Sequence, residues 1–202
     1  YVARYFAKSL LDKYCFEIIQ KTTSGENLDK FKFDKIVTVT VSSQLIGIAL
    51  RDIIDKDPSY SFLKKAILDG SRPTTPELIM LSSYYSFDKE KPFSKIRKGD
   101  NVLIVNDVIS TGKLLQTIFQ RIENDKDAVV SSVFSIVDTR IPFSELKNEK
   151  YEEIPSEYFG EAEANFFSLA SFDDGIEIRK YIGPYRGAAR KIKINPLLNT
   201  DV

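Results

Sequence analysis

The feature that most constrains this chain is an apolar segment followed at once by an acidic residue and a glycine-containing turn. Residues 102–106 read Val-Leu-Ile-Val-Asn, Asp107 follows, and residues 110–113 read Ser-Thr-Gly-Lys. This order predicts a buried strand, a short turn and then a helix. Free N–H groups at the start of a helix, together with the helix dipole, favour an anion. The segment therefore predicts a phosphate-binding turn with a carboxylate beside it.

Apolar periodicity elsewhere in the chain alternates between the spacing of strands and that of helices. Strands are predicted at residues 33–41, 77–82, 102–106 and 129–137. Helices are predicted at residues 1–20, 42–54 and 113–123, with a short additional helix at 60–68. Such alternation is typical of βαβ units. We therefore predict the α/β class, with a parallel sheet flanked by helices.

Ligands of such sheets bind beyond the carboxyl ends of the strands. The segments predicted to end there are the turn at Ser42 and Ser43, the segment after the second strand, the loop at Asn106 and Asp107, and the Asp138 end of the fourth strand. Their convergence predicts one binding crevice. Ser42 and Ser43 also have an alternative interpretation, as the N-cap of the helix that follows them.

Composition argues against several functional classes. The 202 residues carry 29 basic and 29 acidic side chains, and a net charge of zero argues against broad binding of nucleic acid. No apolar run approaches the ~18–20 residues of a membrane-spanning helix, and no signal peptide is visible. The absence of histidine excludes histidine triads and histidine-liganded zinc. Cys15, the single cysteine, is interpreted as a core thiol and is consistent with a cytoplasmic location.

The chain divides into a predicted core and a C-terminal region. Residues 1–140 carry the alternating pattern, with an insertion at 57–75 and a polar, flexible loop at 83–99. Beyond residue 140 the pattern changes, and segments 166–169 and 176–182 favour strands. Residues 141–202 are predicted to complete or cap the core, or to bind a partner.

Residues 102–114 resemble the phosphoribosyl pyrophosphate (PRPP) signature of type I phosphoribosyltransferases. That signature is an apolar strand, two acidic residues, two apolar residues and then Ser/Thr-Thr-Gly-x-Thr. Here the acidic pair is Asn106-Asp107 and the closing threonine is Leu114, so two positions depart from it. Lys98-Gly99-Asp100, before the strand, also resembles the family, especially its orotate-type members.

The resemblance implies transfer of phosphoribose from Mg²⁺-bound PRPP to a base, with release of pyrophosphate. Asp107 and Asn106 would act on the ribose, and Asp107 would also be the protein's ligand to Mg²⁺. The 5-phosphate would be held by the turn residues Ile109, Ser110, Thr111, Gly112, Lys113 and Leu114. The pyrophosphate would be held by Ser42, Ser43, Lys89, Lys91 and Lys95. The partner would be PRPP or a nucleotide, and the resemblance allows a homodimer or a larger assembly.

Two further functions stay open beside an active pentosyltransferase. Asn106 carries no charge, Leu114 replaces a threonine, and the turn after the first strand has no glycine, which favours a PRPP- or nucleotide-sensing domain without turnover. The other is a module that uses the fold only for interaction, against which the Ser-Thr-Gly turn and Asp107 both count. Asp107 itself could be a helix-capping carboxylate. The residues do not identify the acceptor base.

Overall fold

The computed structural model describes residues 1–25, 28, 31–61, 63, 75–81, 93–110, 112–139, 164–179 and 189–194, and the structural statements below concern these residues. The strands are β1 (Lys35–Thr38), β2 (Glu77–Met80), β3 (Asn101–Ile109), β4 (Val129–Asp138), β5 (Asn165–Arg179) and β6 (Ala189–Ile194). They form one sheet in the order β2-β1-β3-β4-β5-β6. The strands from β1 to β5 pair in parallel, and β6 pairs with β5 in antiparallel orientation.

The described helices cover both faces of this sheet. They are α1 (Val2–Thr23), α2 (Val41–Lys56), α3 (Lys113–Lys126) and a 3-10 turn at Pro58–Tyr60. Along β3, Leu103 and Val105 pack with α1 and α2, whereas Val102 and Ile104 pack with α3. Successive residues of a strand point to opposite faces, so this short apolar run builds both halves of the core. The predicted α/β class, a parallel sheet flanked by helices, is confirmed.

The core beneath α1 is centred on Tyr14. Its ring meets Phe31, Phe134 and Phe167 edge-on, with centroids 5.2–5.9 Å apart, a favoured geometry for aromatic pairs. The phenol donates a hydrogen bond to the Phe31 carbonyl oxygen, which satisfies the polar atom at full burial. Because Phe167 lies on β5, this cluster joins the first helix to the C-terminal region.

The C-terminal region contributes to the sheet rather than lying apart from it. Residues of β5 pair with β4 from Ser132 to Asp138, and Phe167 and Leu169 are buried in the core. The segments 166–169 and 176–182 were predicted as separate strands, but residues 166–169 and 176–179 belong to this one strand, and residues 180–182 lie outside the described residues. The division of the chain at residue 140 stays a prediction, and the additional helix predicted at 60–68 falls largely outside the described residues.

Close packing of α2 on β1 depends on Gly47. A Cβ atom at this position would lie 2.3 Å from Cγ2 of Thr38 and 3.1 Å from Cδ1 of Leu78. Both distances are shorter than ordinary van der Waals contact, so only glycine fits without a shift of the helix. The amino-terminal end of α2 is thereby held against the end of β1. None of the described helices is long and apolar enough to cross a membrane.

Candidate functional site

The site is built where β3 meets its helix, and here the predicted strand boundary was wrong. The strand was expected to end at Asn106, but β3 continues through Asp107 and Val108 to Ile109, paired with Val137 and Asp138 of β4. Both the N–H and the hydroxyl of Thr139 donate to the Ile109 carbonyl oxygen, at 2.8 and 3.0 Å. These bonds extend the pairing of β3 with β4 as far as Ile109, so the loop begins at Ser110.

The Asp107 carboxylate is fixed through one of its oxygens. Oδ1 accepts hydrogen bonds from the Val108 N–H at 2.9 Å and from the Thr40 hydroxyl at 3.1 Å. Thr40 lies at the end of β1, so this bond ties two neighbouring strand ends together. The side chain is half-buried, and its described contacts leave Oδ2 for a ligand.

Asn106 is turned into the protein and bonds to the backbone of the two residues that follow it. Its Oδ1 accepts from the Asp107 N–H at 3.1 Å, and its Nδ2 donates to the Val108 carbonyl oxygen at 3.0 Å. The residue is only 4% exposed. The amide is therefore used by the strand end itself, although sequence reasoning treated it as a group facing the ribose.

The amino terminus of α2 is closed by its own side chains. The Thr40 hydroxyl accepts from the Ser43 N–H at 3.1 Å, and the Ser43 hydroxyl accepts from the N–H groups of Val39 and Thr40 at 3.0 and 2.9 Å. The Ser43 hydroxyl also donates to the Thr40 carbonyl oxygen. This reciprocal pattern is a capping box. Ser43 is fully buried, whereas Ser42 next to it is exposed.

The amino terminus of α3 is built differently. Its N-cap is Gly112, which adopts φ 79° in the left-handed region, and no side-chain cap is found there among the described residues. The Gly112 carbonyl oxygen accepts the first hydrogen bond of the helix, from the Gln116 N–H at 2.9 Å. The N–H groups of its first turn lack an intrahelical partner by geometry. Leu114, the predicted departure from the signature, packs against the core on the α3 face.

The other predicted phosphate and pyrophosphate ligands are distributed unevenly. Ile109 is buried and Ser110 is exposed beside Gly112. Thr111, Lys89 and Lys91 lie outside the described residues, as does the side chain of Lys113. Their roles stay predictions from the sequence.

The structure does not bring Lys95 to this edge of the sheet. Its ammonium lies 3.7 Å from Oε1 of Glu77, the first residue of β2. Oε2 of Glu77 lies 2.7 Å from the Lys35 ammonium at the start of β1, and this hydrogen bond lowers the pKa of the Glu77 carboxyl. The group of charges therefore lies at the amino ends of the parallel strands, whereas Asp107 lies at their carboxyl ends.

The side chains at this site could hold Mg²⁺ only together with the phosphate oxygens of a bound substrate. In the part of the chain that the structure describes, no three acidic, histidine or cysteine side chains are grouped closely enough to hold a metal. Mg²⁺ commonly takes one or two carboxylates, several waters and substrate phosphate oxygens. Asp107 can supply one such carboxylate oxygen, whereas the oxygen of Asn106 is taken by the backbone.

Thr40 is the site residue that sequence reasoning missed. A threonine followed by a serine three positions later, before an apolar run, is a signal for a helix start. That signal predicts the cap but not the bond to Asp107, which joins residues 67 positions apart in the chain. Only the parallel pairing of β1 with β3 brings the two together.

The chain is similar to known proteins in sequence and in fold. No family model matches the chain. A curated hypoxanthine/guanine phosphoribosyltransferase of Methanopyrus kandleri is 31% identical over 111 residues, which are 54% of this chain and 55% of that protein. The chain thus spans about half the length of this relative.

Solved structures of adenine phosphoribosyltransferases also align with the chain. That of Thermoanaerobacter pseudethanolicus has a TM-score of 0.39 at 12% identity and covers 79% of both chains. That of Leishmania donovani has a TM-score of 0.43 at 16% identity and covers 81% of this chain and 65% of its own. At these TM-scores and sequence identities, the two structures give no information on the site residues of this chain.

A carboxylate near the carboxyl end of a parallel strand, followed by a helix terminus without a described side-chain cap, places the chain among α/β proteins whose strand ends can bind an anionic ligand. Over 111 residues the chain is thus similar to a protein named as a phosphoribosyltransferase, in keeping with the resemblance of residues 102–114 to the type I phosphoribosyltransferase signature. The orotate-type detail stays a prediction, because the relative is named for hypoxanthine and guanine.

Proposed function

We propose that the chain binds PRPP, or a nucleotide through its 5-phosphate, and transfers phosphoribose to a nitrogenous base. The observation that supports this most is the junction of β3 and α3, where a helix without a described side-chain cap starts one short turn after Asp107. Unpartnered N–H groups and the helix dipole favour a phosphate there. A cytoplasmic location remains part of this proposal.

In the proposed reaction, the bond between ribose C1 and the pyrophosphate oxygen breaks, and C1 bonds to a nitrogen of the base. Pyrophosphate leaves with the bonding electrons, and the base loses its proton to water. Positive charge develops on the ribose ring, so a fixed carboxylate nearby stabilises the transition state. Oδ2 of Asp107 is the oxygen that we assign to a ribose hydroxyl, because Oδ1 is occupied by Thr40 and Val108.

The phosphate groups are assigned to the two strand-to-helix junctions. The 5-phosphate goes to the N–H groups between Ile109 and Leu114, with the Ser110 and Thr111 hydroxyls beside them. Pyrophosphate goes to the exposed Ser42 and to Lys89 and Lys91, while the engaged hydroxyl of Ser43 has a capping role. When bound with the substrate, Mg²⁺ would neutralise charge on the leaving pyrophosphate.

For the acceptor, we propose a 6-oxopurine as the first base to be tested. The sequence relative is named for hypoxanthine and guanine, and no described residue of this chain argues for another base. Adenine, uracil and orotate are the comparison bases.

Calorimetric titration of Mg²⁺ and PRPP into the protein tests the binding half of the proposal. We expect saturable binding, weakened about 10–100-fold in Asp107→Asn because a bond to a charged acceptor contributes about 1.5–3 kcal/mol. The matched control is Glu123→Gln, an exposed carboxylate near the other end of α3, which should bind like the wild type. No binding at millimolar PRPP would contradict the proposal.

Release of pyrophosphate in the presence of each base tests the transfer half. Turnover with hypoxanthine or guanine, lost in Asp107→Asn, supports an active transferase. Tight PRPP binding without turnover on any base would instead favour the nucleotide-sensing function, for which the neutral Asn106 is the motivating residue.

A further inference from the structure

Position 106 is where the chain departs from an acidic pair, and the structure gives this departure a physical reason. The two polar atoms of the Asn106 side chain face a backbone donor and a backbone acceptor, the Asp107 N–H and the Val108 carbonyl oxygen. If the side-chain amide were rotated by 180°, its NH₂ group would face the Asp107 N–H and its oxygen would face the Val108 carbonyl oxygen. Only the present orientation therefore makes both hydrogen bonds.

A carboxylate cannot make the same pair of bonds. In an aspartate at position 106, an oxygen would replace Nδ2 and lie about as far from the Val108 carbonyl oxygen as the present 3.0 Å, with no proton between them. At 4% exposure, little water is available to relieve this repulsion. The aspartate would have to leave its position, and the two backbone groups would lose their partners.

The consequence for Asp107 follows from the same bonds. Its N–H is held by Asn106, and the Val108 N–H binds its Oδ1, so both neighbouring peptide groups fix the carboxylate. Thr40 adds the third contact from β1. Loss of the Asn106 amide would leave the Asp107 N–H and the Val108 carbonyl oxygen without these bonds, and would so loosen the backbone segment whose Val108 N–H directs Oδ1.

We propose that Asn106 is a positioning residue whose amide fixes the strand end so that Asp107 alone meets the ribose, and that an acid at this position weakens ribose-phosphate binding. This inference rests on the proposed function and concerns the same site. It contradicts the simpler interpretation of Asn106 as an eroded ligand, for which an acid would restore binding.

The test compares wild type, Asn106→Asp and Asn106→Ala by calorimetry with ribose 5-phosphate and with 2-deoxyribose 5-phosphate. We expect the wild type to prefer the ribose compound, and both variants to bind it at least 10-fold more weakly with a smaller preference. A purely structural role would weaken both ligands equally. Asn106→Ala adds no charge, so it keeps the comparison informative if Asn106→Asp fails to fold.

Thermal unfolding without ligand gives an independent reading of the geometry. Asn106→Asp should melt lower than the wild type, by on the order of 5 °C. Equal or tighter ribose 5-phosphate binding in either variant, or an unchanged preference between the two sugars, would overturn the inference while leaving the proposed function intact. Absence of sugar-phosphate binding in the wild type would instead contradict the proposed function, and this role with it.

Discussion

Two strand-to-helix junctions lie side by side at one edge of the sheet, and their helices begin in opposite ways. At β1–α2, Thr40 and Ser43 occupy the backbone groups of the junction with a capping box. At β3–α3, Gly112 adopts a left-handed conformation and offers no side chain as a cap. A cap satisfies the donors that an anion would otherwise bind. This difference is the reason for our proposal that the second junction, rather than the first, binds the 5-phosphate.

Among the substitutions that compare the two junctions, Gly112→Ala should have the largest effect on PRPP affinity. A residue with a Cβ atom at φ 79° costs about 1–2 kcal/mol, and the strain would shift the first turn of α3. We expect PRPP affinity, measured by calorimetry, to fall at least ~10-fold, since 1.4 kcal/mol corresponds to a factor of ten.

Gly99→Ala is the matched control for this substitution. Gly99 has φ 76° and open space around its missing Cβ, but it lies before β3, at the far end of the strand. It should lose a similar amount of stability and keep PRPP binding. Equal loss of binding in both variants would mean that Gly112 acts through stability alone.

The next effect concerns the close packing that holds the capped junction. Gly47→Ala would place a Cβ atom 2.3 Å from the side-chain atom Cγ2 of Thr38, and the two residues lie on α2 and β1, which pack against each other. Such overpacking typically costs about 1–3 kcal/mol. Urea unfolding measures this cost. An unchanged midpoint would show that α2 can move away from β1 freely.

A smaller effect should follow from removal of the Thr40 hydroxyl. Thr40→Val loses the cap and the bond to Asp107, and a lost N-cap costs about 0.5–2 kcal/mol. Thr40→Ser keeps both bonds and is the control. Stability should drop in the valine variant alone, and PRPP affinity should drop with it because Oδ1 of Asp107 loses a donor. If Thr40→Val kept its PRPP affinity, the bond from Thr40 to Asp107 would not contribute to ligand binding.

The smallest expected effect is a pH dependence of stability, which reports whether water reaches the Cys15 thiol in the core covered by α1 and α2. Burial raises the pKa of the Cys15 thiol from its usual 9.0 to about 12. The unfolded chain releases this proton at lower pH than the folded chain, so stability should fall as pH rises from about 9 towards 12. At pH 10 the loss is on the order of 1 kcal/mol. Cys15→Ala should remove this part of the slope, and parallel curves for the two proteins would show that the thiol is hydrated.

Much of the fold could be predicted from local sequence pattern. The helix at Val41–Lys56 and the strand at Val129–Asp138 lie close to the predicted ranges, because apolar periodicity records which face each element buries. The end of β3 could not be predicted, since it depends on bonds from Thr139, the residue that directly follows β4. Local pattern contains no information on such a partner.

The site residues also fall into those that local sequence predicts and those that it does not. Asp107 and the turn that leads to Gly112 could be found from the order of strand, acid and glycine. The inward amide of Asn106, the Thr40 contact and the distant location of Lys95 depend on tertiary neighbours. Residue type alone suggested a ligand at each of positions 106 and 95, because the sequence does not show which way a side chain points.

The most direct test of the contrast between the two junctions is an NMR titration of the ¹⁵N-labelled protein with ribose 5-phosphate. This ligand carries the 5-phosphate without pyrophosphate, so it addresses the phosphate junction by itself. We predict saturable shifts at the amides of residues 110–115, with those of residues 40–44 nearly unchanged. Shifts concentrated at residues 40–44, or no shifts at millimolar ligand, would contradict the assignment of phosphate binding to the open terminus of α3.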